Sequence, residues 1–267
     1  NEHDLGDVLV TSGRRDGENV LRLDATFAEA EVVGSFLPTR LPDVLANVAY
    51  SVFPSLSRSV EYNHAEQRFR FNVMTRRTEE LLGLFVPGLS LDSGGVFSGM
   101  VDSRVFDMGL EARLPHVHYG GFDATEVELI TDKTLDVLAF SVSSAKQILK
   151  DSTWFGGTSI TGKAYQDELE IALGWDESSG GTNGNLDVTG EVRGMRSVTL
   201  DLLPSHLYFG RGEWLNTRTA RFTIDSSTVA VDSLVLLNEG QRIALDGTVS
   251  RDPLAQLAFD LRQVRLE

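Results

Sequence analysis

The sequence contains no cysteine and comparatively few basic residues. The absence of cysteine excludes disulfide bonds and thiolate metal sites. Among 267 residues there are 24 Lys and Arg against 39 Asp and Glu, for a net charge of -15. Nucleic acids and anionic membrane surfaces are bound by clustered Lys and Arg. This charge therefore disfavours both, and we expect no nucleic-acid partner.

Long apolar runs and targeting signals are also lacking. No apolar stretch approaches the ~18 residues that a membrane helix requires. The N-terminal residues Asn1 to Asp4 show neither the basic region nor the apolar region of a signal peptide. We therefore expect a segment of a longer protein, with any anchor or targeting signal outside it.

The dominant pattern in the second half is strict alternation of apolar and polar residues. Such alternation places one face of a strand in an apolar environment and the other in water. Gly-rich clusters such as Asp92–Gly95 and Ser178–Gly181 separate these runs, as hairpin turns do. No Pro- or Ser-rich linker divides the chain. The sequence predicts an all-β fold, in which residues 1–267 form a single elongated, curled sheet of sequential strands.

Two short helices interrupt the first half of this β pattern, at about residues 39–50 and 78–86. In the first, Leu41, Val44, Leu45 and Val48 fall on one face. In the second, Thr78 has the character of an N-cap and is followed by acidic first-turn residues. We expect both helices to plug or cap an open end of the sheet.

Residue patterns typical of catalytic or metal sites are weak. His116 and His118 lie on one face of a predicted strand, with no carboxylate or third His adjacent in sequence. Gly157–Lys163 has the spacing of a phosphate-binding loop, but Ala164 replaces the Ser or Thr that would hold Mg²⁺. We therefore expect no enzyme activity, no metal and no cofactor.

Acidic and tryptophan side chains give no stronger signal. The strand carboxylates are expected on a solvated face, whereas glycoside hydrolysis needs two that oppose each other across a cleft. These acidic residues are Asp187, Asp225, Asp232, Asp246 and Asp260. The three tryptophans, Trp154, Trp175 and Trp214, are expected to pack at strand ends.

The apolar residues of the alternating runs are the candidate functional residues. We expect them to line one face of the curled sheet, where they form an apolar trough. Alternation also fits an ordinary closed core, so the pattern leaves both possibilities open. The predicted lining residues are Leu169, Ile171, Leu173, Leu186, Val188, Phe222, Ile224, Ile243, Leu245, Val249, Leu257, Phe259 and Leu261.

Several of these stretches resemble the recurring strand-and-turn unit of the TamB family (translocation and assembly module subunit TamB). The resemblance is to the central region of the long TamB-like proteins of Bacteroidetes-type bacteria, and it extends from about residue 20 to the end. The stretches that carry it are Ser51–Leu56, Leu82–Ser90 followed by Gly94 and Gly99, Leu169–Trp175, Ile243–Pro253 and Leu257–Leu261.

The resemblance implies a β-taco, a long sheet curled into a trough with an apolar interior. It further implies the periplasmic portion of an envelope protein anchored in the inner membrane. Such a protein would carry phospholipid acyl chains between membranes and assist the assembly of outer-membrane and secreted proteins. An outer-membrane insertase of the Omp85 class would be contacted by regions outside this chain. Two alternatives remain: a chaperone-type conduit for unfolded β-strands, and a closed structural or adhesin module.

Overall fold

The computed structural model describes residues 6–56, 66–105, 107–149, 152–176, 184–194, 197–209, 212–250 and 254–264. Strands account for most of these residues, together with two α-helices and two short 3-10 turns. The predicted all-β class, with two short helices in the first half, is confirmed.

Eight strands and both helices occupy the first half of the chain. Helix α1 spans Leu41–Val52 between 3-10 turns at Pro38–Arg40 and Pro54–Leu56, and helix α2 spans Glu79–Phe85. The strands are β1 (Val8–Arg15), β2 (Glu18–Ala25), β3 (Ala28–Ser35), β4 (Arg68–Thr75), β5 (Leu89–Leu91), β6 (Val96–Asp102), β7 (Asp107–Tyr119) and β8 (Phe122–Thr134).

The second half consists of strands and the turns that join them. These strands are β9 (Val137–Ser144), β10 (Lys146–Leu149), β11 (Ser152–Phe155), β12 (Thr158–Tyr165), β13 (Glu168–Trp175), β14 (Gly184–Val192), β15 (Ser197–Leu202), β16 (Ser205–Phe209), β17 (Gly212–Asn216), β18 (Ala220–Asp225), β19 (Thr228–Asn238), β20 (Gln241–Ser250) and β21 (Leu257–Arg262).

All of these strands belong to one antiparallel sheet. Its main ladder runs in the order β1-β2-β3-β4-β6-β7-β8-β9-β12-β13-β14-β15-β18-β19-β20-β21, which follows the chain apart from the short strands left out. Those short strands extend the ladder sideways: β5 pairs with the end of β7, β10 with the start of β8, β16 with the start of β14, and β17 with the end of β19. The predicted meander of sequential strands is therefore observed.

The two faces of this sheet differ in character. One, the apolar face, is the side to which Phe69, Val101, Ala164 and Leu169 point; the other, the polar face, carries side chains such as Glu170. From Glu168 to Leu173 and along β14, exposed and half-buried residues alternate one by one. A single sheet that covered nothing would be exposed on both sides. The half-burial of the apolar face therefore means that this face is turned inward.

A line of irregularities, the crease, interrupts most strands of the sheet and is displaced between β12 and β15, because Gly156 and Gly157 lie opposite Asp176 whereas Leu203 lies opposite Asp187. In its first stretch the register connects Leu114 to Val127 and Ser144 to Thr158. A bulge bends its strand, so bulges aligned across neighbours bend the whole sheet along one line. The crease comprises Gly94–Gly95, Glu126, Ala145, Gly156–Gly157, Leu203–Pro204, Thr217–Thr219, Asp232–Ser233 and Gly247.

The crease has a backbone signature at several of its positions. Glu126 and Ser233 have φ of 51° and 62°, and Gly247 has φ of 120°. Between Val231 and Leu234 the pairing of β19 with β20 shifts register. The crease divides the longer strands into two walls of a trough that runs perpendicular to the strands.

Helix α1 lies along one rim of the trough, where β4, β6 to β9 and β12 begin or end. Twelve helical residues span ~18 Å and the two 3-10 turns add ~12 Å. The ends of β4 and β12 are five strand spacings apart, or ~24 Å in a flat sheet. The helical segment is therefore long enough to cross this tract. The first helix was expected to plug or cap an open end of the sheet. In the structure it lies as a cover along the rim of the trough.

Local details of the two helices differ from the prediction. Helix α1 runs to Val52, and its buried positions are Val44, Val48 and Val52, whereas Leu45 is 49% exposed. The assignment of Leu45 to the packed face was wrong because the true stripe repeats every four residues and continues past the predicted end. Thr78 is at the N-cap of α2 but makes no capping bond. Its hydroxyl group instead bonds the backbone N–H and carbonyl of Leu91 in β5.

Candidate functional site: the apolar trough

The thirteen predicted lining residues share one face of the sheet. On β13 and β14, Ile171 pairs with Val188 and Leu173 with Leu186, so each pair points to the same side. The row continues from Leu169 through Gly190, Leu200, Phe222, Val231 and Gly247 to Leu257. On the last two strands, Ile243 pairs with Leu261 and Leu245 with Phe259.

None of the thirteen side chains is fully buried. Eight are half-buried, and the exposed ones increase toward the last strand: Phe259 is 62% and Val249 51% exposed. A closed core would bury most such residues, since side chains in cores interdigitate at close to crystal density. The apolar face is therefore only partly covered along its C-terminal half.

The trough begins earlier in the chain than the sequence indicated. The same face carries a row of apolar residues on β4 to β9, among them Phe69, Phe71, Leu110, Leu129 and Phe140. Sequence reasoning missed these residues because the first half alternates less cleanly. Arg68–Thr75, with Phe69, Phe71 and Val73 at alternate positions, carried a usable signal.

Large aromatic side chains cover cross-strand glycines on this face. Phe71 lies over Gly99, Phe140 over Gly162, and Trp175 over Gly184. An ideal Cβ at these three glycines would come within 2.8, 2.5 and 2.5 Å of a ring atom. The glycines therefore allow the rings to lie flat against the sheet, which leaves a smooth apolar surface.

Under helix α1, the apolar face is sealed rather than open. The described part of the chain contains one cluster of packed, buried hydrophobic residues. Its members are Phe36, Val44, Val48, Phe69 and Val101. The row from Phe69 continues through Val101, Met108, Lys133 and Leu138 to Ala164.

Three members of this row are almost completely buried. Val101 and Lys133 are 0% exposed and Ala164 is 1% exposed. The Lys133 ammonium group donates to the Leu135 carbonyl oxygen, and burial lowers the pKa of Lys133, opposed by the charges of Asp136 and Asp107. The trough thus has a roofed part, under α1, and a more exposed part, from β14 to β21, where Leu202, Ala220 and Val231 are buried but the predicted lining residues are half-buried or exposed.

The far end of the helical segment is tied to turns more than a hundred residues away. The Asp167 N–H donates to the Val52 carbonyl oxygen at 3.0 Å, and the Ser55 N–H donates to both Asp167 carboxylate oxygens at 3.0 and 3.1 Å. Ser55 Oγ donates to the Val192 carbonyl oxygen at 3.1 Å and accepts from the Gly194 N–H at 3.0 Å. These bonds are here called the latch.

Ion pairs occupy the polar face. Arg221 on β18 bonds both carboxylate oxygens of Asp201 on β15, at 2.7 and 2.8 Å, and holds the pKa of that carboxyl group below its usual range. Arg76 bridges Asp24 and Glu29. Such pairs between exposed groups stabilise a protein only slightly. They do mark this face as the one in contact with water.

The polar face also has open hollows. One of about 570 Å³ lies over small residues of β9, β12 and β13, such as Ala139, Thr161 and Ala172, and is bordered by Lys163 and Asp187. Its charged border is poorly suited to a hydrocarbon chain, because burial of an unpaired charge against hydrocarbon is costly.

The two strand histidines have carboxylate neighbours that are distant in sequence. His116 Nε2 is 3.3 Å from Asp123 Oδ1 and His116 Nδ1 is 3.4 Å from Asp92 Oδ2. His118 Nδ1 bonds the same oxygen of Asp123 directly. The sequence did not reveal this because Asp123 comes from the neighbouring strand.

The His118–Asp123 bond leaves no gap for an ion between these two side chains. No group of three or more His, Cys, Asp or Glu residues in the described ranges is arranged to hold a metal.

The other residues singled out in the sequence, namely the segment with phosphate-loop spacing, the tryptophans and the strand carboxylates, are placed by the structure as follows. The segment with phosphate-loop spacing forms β12, paired on both sides with β9 and β13. Trp214 is buried and Trp175 half-buried, while the Trp154 side chain lies outside the described residues. Asp187, Asp225, Asp232 and Asp246 are exposed, and Asp260 pairs with Arg242 and Arg262.

Neither of the two α-helices found among the described residues has the length and hydropathy needed to cross a membrane. Comparison of the chain with protein-family models, with curated proteins and with solved structures found no match.

Proposed function

We propose that this chain is a non-enzymatic, periplasmic segment of a TamB-like envelope protein that is anchored in the inner membrane by another part of the polypeptide. Its apolar trough supports the transfer of phospholipid between the inner and outer membranes and the assembly of outer-membrane and secreted proteins. Contact with an Omp85-class insertase is made by regions beyond this chain.

The observation that carries the proposal is the partly covered apolar face. Thirteen aliphatic and aromatic side chains on five strands share this face, and none of them is fully buried. Soluble proteins seldom leave a continuous apolar surface of this extent without an apolar ligand or partner.

The size of the trough suits acyl chains. Sixteen strands in the main ladder give fifteen spacings, or ~70 Å along the trough axis. Half of a bilayer hydrocarbon core is only ~15 Å thick. Several acyl chains would therefore fit along the trough, one after another.

Transfer energetics also favour a long apolar path. Moving an acyl chain from a bilayer into water costs about 0.8 kcal/mol per CH₂, or ~12 kcal/mol for sixteen carbons. A surface of Leu, Ile, Val and Phe returns much of that cost at each step. Uniform side chains such as Ile171, Leu173 and Leu186 offer no single tight site, so a lipid would slide rather than remain trapped.

A second candidate function, a conduit for unfolded β-strands, is favoured by the last strand. In the described part of the chain β21 pairs only with β20, and it exposes Leu257, Phe259 and Leu261. An open edge with apolar side chains on one face can accept an added strand through backbone hydrogen bonds.

The test is lipid capture by the intact chain. We would purify the protein from a bacterial envelope fraction and record native mass spectra. In parallel, a photoreactive amino acid would be placed at Leu173 or Leu245, and, as controls on the polar face, at Lys163 or Thr189. We expect phospholipid adducts at the first pair of positions and not at the second.

The outcomes separate the candidates. Adducts confined to Leu173 and Leu245 support lipid passage. Retained peptide without phospholipid selects the strand conduit. A protein that carries neither, and labels equally weakly at all four positions, contradicts both.

A further inference from the structure

The row of residues that passes under helix α1 also continues in the other direction, to the first strand of the sheet. From Phe69 it leads across β3 and β2, through Gly34 and Asn19, to Arg14 on β1. Side chains that oppose each other directly in a sheet share one face. Arg14 therefore lies on the apolar face, at the height of the row that α1 covers, and brings a positive charge to the margin of that face.

Arg14 is held in place by neutral groups and not by an acid. Its Nε donates to Asn19 Oδ1 at 3.2 Å, and Asn19 Nδ2 donates to the Phe36 carbonyl oxygen at 2.8 Å. Phe36 belongs to the buried cluster under α1, so Asn19 is itself tied to the packed part of the fold. Among the residues that the structure describes, none forms an ion pair with Arg14, and the two terminal nitrogens of its guanidinium make no hydrogen bond there.

The two other arginines of β1 and β2 differ from Arg14 in this respect. Arg15 and Arg22 lie on the polar face, and both pair with Glu31 of β3. A guanidinium that has no carboxylate partner can bind a phosphate group through two parallel hydrogen bonds, which its planar fork fits. Arg14 is therefore the arginine of these two strands that is suited to an anionic ligand.

An uncovered apolar surface lies on the same face of β1 and β2, beyond Arg14. On β1 it consists of Val10 and Val8, which are 58% and 49% exposed, and on β2 of Leu21 and Leu23, which are half-buried. From Arg14 to Val8 the strand advances by six residues, or ~20 Å. Half of a bilayer hydrocarbon core is ~15 Å thick. An acyl chain therefore fits along this surface with its polar head at Arg14.

We propose that Arg14 binds the phosphate group of a phospholipid whose acyl chains lie on the apolar surface of β1 and β2. This inference rests on the proposed function and deepens it, because it names the group that the trough recognises and the place where it is bound. The terminal nitrogens of the guanidinium donate to two phosphate oxygens, while Asn19 fixes the direction of the side chain. The net charge of -15 disfavours binding to a whole anionic surface, but a single phosphate group needs only this one cation.

The test compares phospholipid with a lipid that has the same acyl chains but no phosphate group. The full chain, with a photoreactive amino acid at Leu23, would be incubated with vesicles of phosphatidylglycerol and phosphatidylethanolamine that also contain diacylglycerol. The masses of the adducts distinguish phospholipid from diacylglycerol, so the ratio of the two is measured in one sample. A second reporter at Leu245 monitors the far part of the trough.

We expect Arg14→Gln to lower the ratio of phospholipid to diacylglycerol adducts at Leu23 by about tenfold, because the charged, bidentate contact with the phosphate group is lost. Arg14→Lys keeps the charge but cannot form two parallel bonds, and should lower the ratio by about threefold. Arg15→Gln is the matched control, since it removes the same charge from the next residue, which points to the polar face. It should leave the ratio unchanged. Excess inorganic phosphate should also leave it unchanged, because a free ion gains nothing from the apolar surface.

Equal ratios in Arg14→Gln and Arg15→Gln would overturn the phosphate site, and so would adducts at Leu245 without any at Leu23. Loss of the phospholipid preference on addition of inorganic phosphate would indicate a site for free anions and would overturn the lipid assignment. Absence of adducts at both reporter positions in every variant, from protein that circular dichroism shows to be folded, would overturn the proposed function as well. The two failures are thereby distinguishable.

Discussion

The ring of Phe140 on β9 lies over Gly162 on β12 and occupies the space that a side chain at position 162 would need. An ideal Cβ on Gly162 would be 2.5 Å from Phe140 Cζ and equally close to the Glu170 carbonyl oxygen. One of these neighbours belongs to the backbone of the next strand and cannot rotate away. The floor of the trough is therefore shaped by a residue that has no side chain.

Replacement of this glycine should be destabilising. We expect Gly162→Ala to lower the free energy of unfolding by about 1–3 kcal/mol, as overpacking of a fitted site does. Gly109→Ala is the control, because its Cβ would meet nothing closer than 3.9 Å and its backbone is not in the left-handed region. Urea unfolding monitored by circular dichroism measures both. Equal stability of the two variants would contradict the fitted-ring interpretation.

Because Val101 belongs to the buried cluster under helix α1, we expect its truncation to lower the free energy of unfolding substantially. Because Val101 is 0% exposed and packs in the cluster with Phe69 and Val48, Val101→Ala should lose about 2 kcal/mol, the sum of lost transfer free energy and a residual cavity. Val249→Ala removes the same atoms from a side chain that is 51% exposed, and should change stability by under ~0.5 kcal/mol. Denaturant midpoints of the two variants provide the comparison, and a reversed order would argue against α1 as the packed part of the fold.

Stability should depend on acidity through Asp102, at the end of β6. Hydrogen bonds from the Arg104 guanidinium, at 2.9 Å from Nε and 2.5 Å from Nη2, hold the pKa of this largely buried carboxyl group below its usual value. A lowered pKa in the folded state means that the unfolded state binds the proton more readily. The resulting stabilisation is present above about pH 4 and is lost as the pH falls through the folded pKa.

Asp102→Asn removes this titration. Its free energy of unfolding should therefore be below that of the parent at neutral pH, and the difference should shrink as the pH falls below about 4. Chemical denaturation at a series of pH values tests this expectation. A difference that stays constant through the acid range would show that the loss comes from something other than the ionised carboxylate.

The trough can be tested by two neighbouring residues of β14 that point to opposite faces. Val188 is half-buried on the apolar face, and Thr189 is exposed on the polar face. We expect Val188→Asp to reduce lipid adducts at Leu173 strongly, since a hydrocarbon chain beside a carboxylate would desolvate it. Thr189→Asp should leave the adducts unchanged. Circular dichroism spectra establish that both variants remain folded, and equal loss in the two would point to a general effect of added charge.

The exposed edge strand β21 should promote self-association. Phe259 is 62% exposed on a strand that has one partner among the described strands. Phe259→Lys should lower concentration-dependent association, because a charge on an edge strand blocks edge-to-edge pairing. Ile130→Lys, at a 42% exposed position in the interior strand β8, is the control. Sedimentation velocity over a range of concentrations would show whether only the first change matters.

Much of the fold could be predicted from local pattern. Alternation at Leu169, Ile171 and Leu173 is enough to place these residues on one face, because side chains of a strand point alternately to its two sides. The order of the strands followed because successive antiparallel strands pair with their neighbours.

What the sequence missed depends on partners that are distant in the chain. The contact of Asp123 with His116 and His118 arises only when β7 and β8 pair. Thr78 bonds Leu91 rather than its own helix, because β5 lies within reach of the hydroxyl group. Rules of helix capping consider only residues near the helix end in sequence, so they cannot predict a bond from Thr78 to β5.

By itself, the sequence determined a single antiparallel sheet with one apolar and one polar face, since period-two patterning and turn residues act locally. Only the tertiary structure decided where the irregularities from Gly94–Gly95 to Gly247 lie relative to one another across the sheet, and that α1 covers the apolar face from Phe69 to Ala164 while the predicted lining residues from Leu169 onward stay half-buried or exposed. Alignment and cover depend on strand register and on bonds such as that of Ser55 to Asp167, which join residues more than a hundred positions apart. The pattern of apolar residues along the chain does not show which of these distant residues come into contact.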